Sequence, residues 1–215
     1  MYTGITTGLF QVTHVDKHPG LTNYTVRLNV ELLTNLRIGA SIAIDGVCQT
    51  VVAIDAEAQQ VSLQAIQATL ERTTLMQLYH GRLVSVERSL CYGAEIGGHE
   101  LAGHIMGTAT IIQLIHAENN LAMTLSCPHA WMKFILPQGY IAVDGSSLTI
   151  NRIDLLTDSF TVHLIPETLR RTNFGNKVLG DLVNVELDQK TLAIITTVES
   201  ILAQKQEVIA CTRFI

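Results

Sequence analysis

Charge is scarce in this chain: Asp, Glu, Lys and Arg make up 15% of its 215 residues, against about 25% in an average soluble protein. The net charge is −5 and no basic run occurs, which speaks against a surface built to track nucleic-acid phosphates. No stretch approaches the roughly 18 consecutive apolar residues of a membrane span. The start, MYTGITTGLF, lacks the basic segment, apolar core and cleavage site of a signal peptide. Cysteine is sparse as well. Cys48, Cys91, Cys127 and Cys211 are scattered without a CxxC pair, so a zinc ribbon and a thioredoxin-type site both lose support. Reduced thiols in a cytoplasmic protein are the expectation. Regular helices between strands are missing too, which argues against a TIM barrel or a Rossmann sheet. Apolar residues nevertheless reach an ordinary 47%. Ser, Thr, Gln, Gly and Asn replace the missing charge, a composition suited to surface covered by other subunits, so a homo-oligomer is expected.

What the chain does have is a repeat. SIAIDGVCQTVV (41–52) aligns with YIAVDGSSLTIN (140–151), VSLQAIQATLERTTL (61–75) with FTVHLIPETLRRTNF (160–174), GRLVSVE (81–87) with GDLVNVE (180–186), and TGITTG (3–8) with AGHIMG (102–107). The offset is 99 throughout, and 17 of these 40 positions are identical; average residue usage would give roughly two or three. The chain therefore reads as a duplicated domain, residues 1–97 and 98–188, followed by a tail, 189–215. Within each half the period is that of strands. In TVRLNVEL (25–32), Val26, Leu28, Val30 and Leu32 alternate with polar residues, as do Ile42 and Ile44, and Phe160, Val162 and Leu164. Such alternation buries one side of a strand. Asp45-Gly46, Gly81, Asp144-Gly145 and Gly180 punctuate the runs. The fold class is all-β: each half is expected to be a small antiparallel barrel or sandwich of about six strands. Short helices are expected near 65–80 and 166–177. In the tail, Leu192, Ile195, Val198, Ile201, Leu202 and Ile209 recur at helical spacing behind Asp188, a candidate cap. That amphipathic helix needs an apolar partner, and a neighbouring subunit's copy is the natural one.

Three clusters carry candidate chemistry. IGGHELAGHIMG (96–107) joins the halves and holds His99 and His104. No HExxH pattern accompanies them, so no metal is expected, and structural roles stand beside catalytic ones for each. The second cluster is a repeated Gly-x-[Cys/Ser]-x-Thr: Gly46, Cys48 and Thr50, then Gly145, Ser147 and Thr149. Cys48 and Thr50 share one side of a strand, as do Ser147 and Thr149. An ordinary polar strand surface is the plainer reading, and its appearance in both halves weakens it. In LIPETL (164–169), Pro166 and Glu167 interrupt a strand and leave main-chain groups free to meet the edge of a heterocycle. Its counterpart has Ala68 where this half has Glu167. The two halves thus look built to hold one type of ligand twice.

MYTGI, DGVCQTV, GGHELAGHIMG, VDGSSLTIN, LIPETLRRT and GDLVNVELD together resemble the riboflavin synthase family, alpha-chain type, in order and spacing from residue 1 to about 203. The resemblance implies two six-stranded Greek-key barrels, a C-terminal oligomerisation helix and a homotrimer. It implies dismutation of two 6,7-dimethyl-8-ribityllumazine molecules, with four carbons transferred to give riboflavin and 5-amino-6-ribitylamino-uracil, and no cofactor. The site would lie between the N-barrel of one subunit and the C-barrel of another. Carried over by position, the N-barrel half-site comprises Gly4, Ile5 and Thr6, then Cys48, Gln49 and Thr50. It continues through Gln64, Ala65, Ile66, Gln67, Ala68 and Thr69, with Gly103, His104 and Ile105 closing it. The C-barrel half-site comprises Ser147, Leu148 and Thr149 with His163, Leu164, Ile165, Pro166, Glu167 and Thr168; Gln138 joins the substrate contacts. Ser41, Cys48 and His104 match positions the family associates with catalysis. His104 is the candidate for proton transfer, because imidazole as a side-chain type exchanges protons near neutral pH; Cys48 and Ser41 would assist addition at the acceptor ring. Three positions depart from the family: Tyr2 stands for Phe, Ala68 for Glu and Gln138 for Lys. The competing reading is a non-catalytic relative of the lumazine protein type, which typically lacks the two histidines retained here. A structural barrel without ligand leaves the paired motifs unexplained. Association with a lumazine synthase is not legible in the sequence.

Overall fold

The computed structural model describes the backbone of residues 1–212 and side-chain surroundings through Lys205. Six strands form the first half: β1 (Gly8–His18), β2 (Leu21–Arg27), β3 (Ser41–Ile44), β4 (Val47–Asp55), β5 (Gln60–Ile66) and β6 (Leu83–Arg88). They close into an antiparallel Greek-key barrel in the order β1–β2–β5–β4–β3–β6. The second half repeats the plan with β7 (Gly107–His116), β8 (Leu121–Ser126), β9 (Tyr140–Val143), β10 (Ser146–Asp154), β11 (Ser159–Leu164) and β12 (Leu182–Leu187). These close as β7–β8–β11–β10–β9–β12. Each barrel has its own core. Val26, Ile42, Ile44, Val51 and Leu63 are buried in the first, and Met123, Ile141, Phe160, Val162 and Leu164 in the second. The alternating residues of the sequence are thus the inward faces of strands.

One strand assignment fails. The alternation through Val30 and Leu32 does not continue β2, because Asn29 starts a one-turn helix, α1 (Val30–Leu33). The Asn29 side chain accepts the Leu32 N–H at 2.9 Å, which caps the turn. Val30 is left 64% exposed while Leu32 enters the core. A polar capping residue overrides a period of two here. The expected short helices are present as α2 (Gln67–Arg72) and α3 (Pro166–Arg171), each followed by a 3-10 turn. The tail forms α4 (Gln189–Thr212). Asp188 caps it, accepting the Thr191 N–H at 2.8 Å; the expected apolar position Ile209 lies outside the described side chains.

Where the barrels meet, the duplicated Asp-Gly turns touch. Asp45 and Gly46 both have positive φ, as do Asp144 and Gly145, the conformation of a two-residue hairpin turn. A Cβ on Gly46 would stand 2.5 Å from the Gly145 nitrogen. Both aspartates are fully buried. Asp45 accepts the Ser85 N–H at 2.7 Å and Asp144 the Asn184 N–H at 2.7 Å. Asn173 bridges them with one Nδ2, 3.0 Å from each carboxylate. Arg82 pairs with Asp45 at 2.9 Å and Lys177 with Asp144 at 3.3 Å. Even so, burial and the neighbouring Asp144 push the Asp45 carboxyl up to about 6.

The glycine contact gives a stability prediction. Gly46→Ala pays about 1–3 kcal/mol for a left-handed backbone and must also displace the second barrel. Gly39→Ala pays the backbone cost alone, because Gly39 also has positive φ but nothing lies within 4 Å of its Cβ position. Thermal denaturation should therefore show a clearly larger loss for Gly46→Ala than for Gly39→Ala; equal losses would mean that the turns do not constrain one another.

Candidate active site

The segments that precede β1 and β7 exchange barrels. Residues 4–6 run along the second barrel: the Gly4 carbonyl accepts the Ser147 N–H at 2.9 Å, and Thr6 Oγ1 lies 3.2 Å from Ser146 Oγ. Residues 101–106 run along the first: the Gly103 carbonyl accepts the Cys48 N–H at 2.9 Å, and Ile105 packs on that barrel's core. The straps pair with each other at Tyr2 and Leu101. Each is fastened by a buried carboxylate at the end of a strand. Glu87 on β6 accepts from Thr3 and Gly4 at 2.7 and 3.1 Å, and Glu186 on β12 from Ala102 and Gly103 at 2.7 and 2.9 Å. Burial raises both carboxyl groups, against the pull of these N–H donors. Gly4 and Gly103 adopt positive φ, and a Cβ on either would lie 2.6 Å from the Cβ of Ser147 or Cys48. Only glycine permits that approach.

This exchange corrects the grouping expected from sequence. Gly4, Ile5 and Thr6 belong with Ser147 on the C-barrel, not with the N-barrel residues. They line a cleft of about 410 Å³ together with Ser146, Ser147, Ile165, Glu167, Thr168, Arg171 and Thr172. The repeat then places Gly103, His104 and Ile105 in the same relation to Cys48, Ile66, Ala68 and Thr69 on the N-barrel. The two faces differ in chemistry. His104 takes the place of Ile5, Cys48 that of Ser147, Ser41 that of Tyr140, and Ala68 that of Glu167. Ser41 lies directly opposite Thr50 across β3 and β4, and Cys48 shares the Thr50 side of its strand. The structure thus gathers Ser41, Cys48 and His104 around one face of the N-barrel. The Tyr2 hydroxyl donates to Cys48 Sγ at 3.2 Å, and burial followed by this bond pushes the Tyr2 phenol above its ordinary value.

The lumazine binding domain family matches the chain twice, over residues 3–89 and 102–188. The riboflavin synthase of Escherichia coli (strain K12) is 40% identical over 207 residues, covering 96% of this chain and 95% of that enzyme. The chain belongs to the riboflavin synthase family. The riboflavin synthase of Buchnera aphidicola subsp. Schizaphis graminum is 39% identical over 203 residues, 94% of this chain and 96% of that enzyme. Among solved structures, LumP complexed with riboflavin superposes with a TM-score of 0.81 at 25% identity, covering 88% of this chain and all of LumP. LumP complexed with 6,7-dimethyl-8-(1'-D-ribityl) lumazine gives 0.78, again at 25% identity and with the same coverage.

Within this family frame, the runs named from sequence split by strand alternation. Gln49 and Leu148 turn inward, as do Ala65 and Leu164, all of them buried. Gln49 meets the Tyr24 hydroxyl at 3.1 Å inside the N-barrel. These positions keep their side chains inside the barrels. Thr50, Gln64, Ile66, Thr149, His163 and Ile165 face outward. Gln67 and Pro166 open α2 and α3, and Gln67 binds Glu71 at 2.7 Å. Glu167 is engaged by Arg170 and Arg171 at the mouth of the cleft, and bonds from Arg170 and then Arg171 hold its carboxyl down to about 2. With Ala68 in its place, the N-barrel lacks that anion. Gln138 sits on a surface turn with positive φ, where the first half has Gly39, and does not line the cleft. Sequence reasoning passed over Glu87, Glu186 and the Tyr2–Cys48 contact. The two glutamates were legible: an acid identical in both copies, inside the apolar strand LVxVE, has to hold something.

Proposed function

We propose that the protein is a riboflavin synthase that converts two 6,7-dimethyl-8-ribityllumazine molecules to riboflavin and 5-amino-6-ribitylamino-uracil. The observation that carries this reading is near-full-length identity of 40% with an enzyme of that name. The duplicated half-sites agree with it, since the reaction takes the same substrate twice. Four carbons pass from donor to acceptor, atoms balance between the two products, and no oxidant or reductant enters. The 7-methyl group of the substrate is unusually acidic, so the protein need not supply a strong base. Its tasks are to hold two rings in register and to move protons at that methyl group and the acceptor ring. We assign proton transfer to His104, and assistance of addition to Cys48 and Ser41. This concentrates the chemistry on the N-barrel, with the C-barrel cleft chiefly positioning its ligand.

The reading extends to a cytoplasmic homotrimer in which the N-barrel of one subunit faces the C-barrel of the next. One observation supports the assembly: α4 leaves Ile194, Val198, Ile201 and Leu202 about half exposed or more. The structural likeness to LumP favours a second reading, a lumazine or flavin carrier. Chelator-treated protein given the lumazine alone separates them. Riboflavin fluorescence should appear without metal, nucleotide or reductant. Tight binding without conversion would favour the carrier, and activity lost with chelator and regained with zinc would overturn the metal-free chemistry.

A further inference from the structure

Ser147, which lines the C-barrel cleft, is held by a ring from the segment that joins the two barrels. His99 Nδ1 lies 2.6 Å from Ser147 Oγ. The imidazole is 7% exposed and stacks on Tyr140, with centroids 4.9 Å apart and planes inclined by 16°. The backbone in front of it is pressed into place: a Cβ on Gly98 would stand 2.3 Å from the Thr3 carbonyl oxygen and 2.6 Å from Ser147 Cβ. Tyr140 stands where the first half has Ser41. The stacked pair therefore belongs to one half-site and not the other. The first half reaches a similar arrangement by another route, the Tyr2 hydroxyl donating to Cys48 Sγ.

We propose that His99 is a positioning residue: it donates from Nδ1 to Ser147 Oγ and so fixes Ser147 as a hydrogen-bond donor to a carbonyl or ring-nitrogen acceptor of the heterocycle in the C-barrel cleft. Burial favours the neutral imidazole, which carries one proton. Its Nε2 is buried without a partner. A buried N–H without an acceptor is rarer and costlier than a lone pair without a donor, so the proton belongs on Nδ1. A hydroxyl has one proton and two lone pairs. With one lone pair of Ser147 taken by His99, its own proton is free to turn into the cleft. Reversing the tautomer would turn that proton toward His99 and present the ligand with an acceptor instead.

The inference rests on the synthase reading for its substrate, and a double-mutant cycle tests it. His99→Phe keeps a ring on Tyr140 but removes the donor, His99→Asn keeps an amide N–H near the Nδ1 position, and Ser147→Ala removes the hydroxyl. Lumazine binding by fluorescence titration and kcat/KM for riboflavin formation are measured for each and for His99→Phe/Ser147→Ala. The expected result is a loss of about 10-fold for either single change, from one charge-neutral hydrogen bond. The double variant should be no worse than Ser147→Ala, and His99→Asn should recover most of the loss. A His99→Phe penalty that persists undiminished without the Ser147 hydroxyl would overturn the proposal, as would no penalty at all. If His99→Phe does not fold, His99→Gln, whose amide reaches the Nε2 position, replaces it with the same expectations. Wild-type protein that binds the lumazine but makes no riboflavin would refute the synthase reading, and the cycle would then be decided by the binding data alone.

Discussion

His104→Gln should slow riboflavin formation by about 10²-fold or more, the scale of lost general acid–base catalysis, while lumazine binding survives. The expectation follows from where the second strap puts the side chain. Gly103 hands its carbonyl to the Cys48 N–H, and the next residue occupies the place that Ile5 holds beside Ser147. The N-barrel thus carries an exposed imidazole where the C-barrel carries an aliphatic side chain. Glutamine preserves a hydrogen-bonding group of similar reach but cannot exchange a proton near neutral pH. His99→Gln should have a smaller effect, because His99 is buried against Tyr140 and reaches substrate only through Ser147. Turnover and binding measured on both variants check this; equally trivial losses of turnover would remove histidine from the mechanism.

Truncation after Asp188 should yield a monomer that has lost activity while both barrels stay folded. The first barrel is complete at β6 and the second at β12, before α4 begins. Part of the helix is tied to its own subunit. Leu192 packs against the C-barrel core, while Lys190 pairs with Glu100 at 3.0 Å and Lys133 with Glu199 at 2.6 Å. Both ion pairs are exposed and so contribute little. On the same helix, Val198, Ile201 and Leu202 are 48–54% exposed. At about 1.5–3 kcal/mol per fully buried side chain, covering even part of this stripe supplies a large share of assembly energy. If the site joins barrels of different subunits, losing the assembly loses the chemistry. Light scattering with the lumazine assay decides: a truncated trimer, or a fully active monomer, would show that the helix or the site has been misassigned.

Much of the fold was legible because duplication supplies its own control. A period of two that recurs at a constant offset is hard to mistake, and the Asp45-Gly46 and Asp144-Gly145 turns are among the strongest local hairpin signals. What misled was local: the apolar alternation runs on past Arg27, yet Asn29 caps a turn and Val30 goes to the surface. The site was legible as a set of residues but not as a grouping. The family resemblance groups Gly4 with Cys48; the crossed straps put it with Ser147. Nothing in a one-dimensional pattern distinguishes a strap that returns to its own barrel from one that crosses to the next. The exchange shows only in long-range pairs such as Gly4 with Ser147 and Gly103 with Cys48. Strand alternation also thins each contiguous run, which is why Gln49 and Leu164 lie inside barrels while Thr50 and His163 lie outside.

The most direct measurement is the stoichiometry of products from purified protein incubated with 6,7-dimethyl-8-ribityllumazine and nothing else, resolved by chromatography. The synthase account predicts one riboflavin and one 5-amino-6-ribitylamino-uracil for every two lumazines consumed. Lumazine recovered unchanged from a stable complex, or riboflavin formed without the matching pyrimidine, would contradict it.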